Sequence, residues 1–144
     1  MSCDAIAAAA LLWLTSSSSA TPTAEIPPAV AQEPLFASII TKARALKVDV
    51  DGFRTANTPL PADFAGRIGE LSQLDMQGHL ELKARGVDGD LKCILRGISQ
   101  DLPLRLDELQ KAADAKARDR ALREMAYLLN DNVEVITAPP KPPV

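Results

Sequence analysis

Pro34 to Thr55 reads PLFASIITKARALKVDVDGFRT, and whether this stretch is helix or strand decides the fold class. Phe36, Ile39, Ala43, Leu46, Val50 and Phe53 recur at steps of three and four, the spacing that lines one face of an α-helix. Inside that run Val48-Asp49-Val50-Asp51 alternates as a half-buried strand would. The longer seam passes through those four residues without changing phase, so the pattern predicts a helix over 34–55.

Working outward, the same period recurs three more times. Thr58-Pro59-Leu60-Pro61 breaks the chain, and Pro61 suits the first turn of the next helix, where a missing N–H loses no bond. Phe64, Ile68, Leu71, Leu74, Gly78 and Leu82 form the second stripe, and Gly86 is placed to end it in the left-handed conformation. Asp88 is the expected cap of a third helix carrying Leu91, Leu95, Ile98, Leu102, Leu106, Leu109 and Ala113. Pro103 lies within it and predicts a kink. Asp114 caps a fourth helix with Leu122, Met125, Leu129 and Ile136, and Val133 beside them. Short connections imply antiparallel neighbours. The expected fold is all-α, a small antiparallel four-helix bundle, with a three-helix arrangement as the alternative.

The ends have a different composition. Ala5 to Leu14 reads AIAAAALLWL and is followed by Ser16 to Ser19 and Ala20. An apolar run with a small-residue border is the form of a secretory signal peptide, here residues 1–20, although no Lys or Arg precedes it. The run is shorter than the roughly 20 apolar residues a transmembrane helix needs, so no stable membrane span is expected. Residues 21–33, TPTAEIPPAVAQE, read as an extended linker, and 138–144, APPKPPV, as a Pro-rich polyproline tail. The domain proper is then 34–137, in an exported, periplasmic protein.

Composition excludes several function classes. The net charge is −3 over 144 residues and aromatics make up 3%, so there is neither a basic surplus for phosphates nor a platform for stacked bases, and no nucleic-acid partner is expected. No glycine-rich phosphate loop occurs. One His and two Cys are too few for a closed zinc site, a disulfide framework or the paired Glu-x-x-His motifs of a di-iron bundle.

Few residues are left to carry chemistry. His79, the single histidine, falls about 80° from Leu71 on a helical wheel, at the border of the second stripe. With Met76 or Met125 it would supply the axial His/Met pair of a haem b bundle, the cofactor-binding alternative. The bland reading makes it a boundary histidine, with the methionines filling gaps in the core. Cys93 falls about 200° from Leu91, facing outward, with Gly97 one turn on. If residues 1–20 leave, Cys93 is the one cysteine left in the mature chain. Met76 and Leu80 point away from the second stripe, so Met76, Leu80, Cys93 and Gly97 make up the candidate interaction surface. The acid pairs Asp88/Asp90 and Asp107/Glu108, and the mixed run Lys111 to Glu124, read as helix starts and solvated faces. The functional expectation is an exported, non-catalytic helical binding or structural protein of the cell envelope, acting by protein–protein contact or self-association and without a cofactor.

Overall fold

A computed structural model describes residues 30–87 and 89–139. They form four helices, α1 (Pro34–Ala56), α2 (Phe64–Ala84), α3 (Leu91–Gln110) and α4 (Ala115–Thr137), after a short 3-10 turn at Val30–Gln32. No strand occurs among the described residues, and four packed helices dispose of the three-helix alternative. The expected signal, most of the linker, Asp88 and the tail from 140 onward lie outside the described residues.

Each helix packs on two others: α2 on α1 and α3, and α4 on α1 and α3. The bundle is therefore a ring in which α2 and α4 stand on one diagonal. Asp49 pairs with Arg67 at 2.7 Å and Lys42 with Glu70 at 2.9 Å, so α1 and α2 run antiparallel. Ser72 contacts Ser99, and His79 contacts Lys92, which sets the same sense for α2 and α3. The core is largely the stripes seen in the sequence, with Ile40, Ala121, Ala126 and Val135 added to them. Phe36, Ile39, Leu46, Ile68, Leu71, Leu82, Leu95, Leu102, Leu122, Met125 and Leu129 are fully buried, while Leu74, Leu106 and Val133 stay at its rim.

Helix ends show where local rules were outweighed. Pro34 sits in the first turn of α1, and Asn57 closes that helix at φ 48°, a conformation Asn tolerates better than most residues. Pro61 does not open α2. Its carbonyl accepts from the Phe64 amide at 3.1 Å to close a turn, and α2 starts at Phe64, whose ring meets Phe53 edge-on at 5.3 Å. Gly86 adopts φ 66° as expected, with Gly86 N–H on the Lys83 carbonyl and Val87 N–H on that of Leu82, the paired bonds of a Schellman ending.

Residue 90 is the N-cap of α3 in place of the expected Asp88, and the Asp90 side chain makes no capping bond. Ala113 drops out of the third stripe. The cap at Asp114, whose side chain accepts from Ala117 N–H at 2.7 Å, needs extended backbone (φ −146°, ψ 171°), so α3 has already ended at Gln110 and Ala113 is exposed.

α3 runs unbroken through Pro103. Proline has no N–H for the carbonyl four residues earlier, that of Ser99. The Ser72 hydroxyl of α2 donates to that carbonyl at 2.6 Å and fills the vacancy. The expected linker also ends early. Val30 and Ala31 pack against the core, and Glu33 receives both Arg85 donors at 2.9 and 2.6 Å, fastening the start of α1 to the end of α2.

Candidate functional site

At the centre of the bundle lies a polar pair that the sequence reading did not weigh. Asp75 of α2 and Asn132 of α4 are both 0% exposed, and Asn132 Nδ2 donates to Asp75 Oδ2 at 2.9 Å. The bond joins the two helices across the diagonal of the ring. Oδ1 of Asp75 and Oδ1 of Asn132 are buried without a hydrogen-bond partner. Burial pushes the Asp75 carboxyl up to about 8, against the smaller opposing pull of the Asn132 amide. A signal was present in the spacing. Asp75 follows Leu71 by four residues, and Asn132 lies between Leu129 and Ile136 at steps of three and four, so both occupy core positions of their stripes.

His79 stands one turn beyond Asp75 and is also buried. Its Nδ1 lies 2.6 Å from the Lys92 carbonyl oxygen. A carbonyl only accepts, so Nδ1 carries a hydrogen and donates it. Met125 is wholly buried in α4 and Met76 is half-buried on α2. Around Gly78, next to His79, the interior is full: a β-carbon there would meet Leu95 Cδ1 and Phe36 Cε1 at 3.2 Å and Ile39 Cδ1 at 3.5 Å. His79 therefore adjoins a close-packed stretch of the core, while Met125 is wholly buried on α4 seven residues before Asn132. Among the described residues no group of three or more His, Cys, Asp or Glu could hold a metal ion.

The four residues of the expected interaction surface are spread over nearly two turns of the α2–α3 layer. The Ser72–Ser99 and His79–Lys92 contacts fix the same antiparallel offset, which puts Gly78 opposite Cys93 and Leu80 opposite Leu91. Leu80 is 56% exposed, Met76 and Gly97 are half-buried, and open space lies where Gly97 would carry a β-carbon. Val87, just past α2, adds a further exposed apolar side chain. Cys93 is half-buried and disulfide-bonded.

A second surface feature is a cleft of about 350 Å³ between α3 and α4, lined by Asp101, Arg105, Arg123, Glu124, Tyr127 and Leu128. Arg105 is engaged by Glu108 at 2.8 Å and by Glu124, so the cleft presents balanced charge rather than a cationic seat. No helix among the described residues is long and apolar enough to cross a membrane. Comparison with protein-family models, curated proteins and solved structures returns no match for the chain.

Proposed function

We propose that this chain is a non-catalytic helical binding protein of the cell envelope, acting through the outer surface of α2 and α3. The observation that carries the reading is the exposed apolar side chain of Leu80 on the layer that also holds Met76, Cys93 and Gly97. An exposed apolar side chain flanked by half-buried ones suits a protein partner, which covers it on binding. Gly97 supports the same use, because a helix face without a β-carbon lets another backbone come close. The leader-like run Ala5 to Leu14 supports placement at the envelope.

The test is a capture experiment from envelope extract with the wild-type protein and with Leu80→Glu, which alters an exposed position and should leave the melting curve unchanged. Proteins retained by wild type and lost from Leu80→Glu are the expected result, with size-exclusion chromatography reporting self-association in the same pair. An identical set on both baits, at the same oligomeric state, would overturn the assignment of this surface.

A further inference from the structure

Buried polar atoms in folded proteins nearly always have partners, so an orphan calls for an explanation. Here there are two, and they belong to the same two side chains. A carboxyl and a carboxamide are both planar, two-armed groups. One arm of each is already joined, Asn132 Nδ2 to Asp75 Oδ2 at 2.9 Å, and the orphan oxygens are the other arm of each. Two bare oxygens repel. A single proton between them turns repulsion into a hydrogen bond and satisfies both.

We propose that Asp75 and Asn132 form a closed acid–amide pair, Asp75 donating a proton on Oδ1 to Oδ1 of Asn132, and that losing this proton opens the pair and loosens α4 from α2 across the bundle. The step is a simple ionisation: the Oδ1–H bond breaks, the proton passes to water or buffer base, and the electron pair stays on the carboxylate.

The surroundings leave this pair to act alone. On α2 the neighbouring titratable group is His79, tied to the Lys92 carbonyl of α3. On α4, Asp131 adjoins Asn132 in sequence and its carboxyl is itself pushed up, by burial and then by Glu134. α1 and α3 bring Phe36, Ile39 and Leu95 against Gly78 on the next turn of α2. No charged side chain among the described residues bears on the Asp75 carboxyl, which feels burial and the Asn132 amide only. Burial holds the proton up to about pH 8. Above that, a carboxylate is left in an apolar interior with one donor to meet it.

The sign of the pH dependence follows. Between the ordinary aspartate value of 3.8 and about 8 the folded chain keeps this proton and the unfolded chain releases it. Stability from this group therefore falls as pH rises through that window and levels off above it. Asp75→Asn supplies an N–H in place of the acid O–H and cannot ionise, so it mimics the closed pair at every pH. Urea unfolding from pH 5 to 9 tests the idea. Relative to Asp75→Asn, the folding equilibrium constant of wild type should drop about tenfold per pH unit up to pH 7.5 and become constant beyond pH 8.5. Contributions of groups remote from the pair are common to both proteins and cancel. Carbon-13 titration of the wild-type aspartate carboxyls is the second readout, and it holds even if Asp75→Asn does not fold. One buried resonance should move near pH 8, together with faster amide exchange around residue 132. Parallel pH profiles for the two proteins, or every carboxyl titrating between pH 3 and 5, would overturn the proposal.

Discussion

Ser72 shows how one hydroxyl lets a proline stand inside a helix. Pro103 cannot donate to the Ser99 carbonyl, and the Ser72 hydroxyl, 2.6 Å away on α2, does so in its place. Ser99 is buried, so removing the hydroxyl strands an acceptor that water reaches poorly. Ser72→Ala should lower the unfolding free energy by about 1–2 kcal/mol in urea denaturation. In a Pro103→Ala background the backbone N–H of residue 103 returns to that carbonyl, and Ser72→Ala should then cost less than half as much. Equal losses in the two backgrounds would show that the Ser72 hydroxyl does not substitute for the missing amide.

At the scale of the element, α2 contrasts two kinds of glycine. Gly66 is exposed with open space where a β-carbon would go, whereas at Gly78 that atom would press on Leu95 and Phe36 at 3.2 Å. Both neighbours are fully buried and have little room to shift. Gly66→Ala should stabilise by about 0.5–1 kcal/mol, the gain in helix propensity alone. Gly78→Ala makes the same gain but overpacks the core, at about 1–3 kcal/mol, so its net effect should be destabilising. Thermal melts of the two variants should move in opposite directions. The sequence carries the period that placed Gly78 on the core stripe, and for the same reason the four helices and most of their buried side chains were readable from it. It does not carry the distances that separate a crowded glycine from an idle one. The start of α2 and the end of α3 were read less well because Pro61 and Ala113 fit local rules that the Phe53–Phe64 contact and the extended cap at Asp114 override. Asp75 and Asn132 were passed over because polar residues on an apolar stripe look like breaks in it until a partner is found on another helix.

For the molecule as a whole the question is why a bundle with continuous apolar stripes keeps a polar pair at its centre. Topology does not require it. Residues 57–63, 85–90 and 111–114 are short connections that leave each helix next to its predecessor, and Ser72–Ser99, Asp49–Arg67 and Lys42–Glu70 fix the offsets. Stability does not require it either, since apolar residues of similar shape in place of a buried polar pair are often neutral or favourable. Asn132→Leu alone should therefore destabilise by about 1–3 kcal/mol at pH 7, because Asp75 is left without its single partner. Asp75→Leu combined with Asn132→Leu should recover that loss, keep one dispersed set of amide resonances, and become at least as stable as wild type at pH 8, where the wild-type pair has begun to lose its proton. A double variant as weak as the single, or one with collapsed amide dispersion, would show that the pair holds the fold together. Recovery would mean that the fold can do without it, leaving proton binding at the centre of the bundle as the property that Asp75 and Asn132 add.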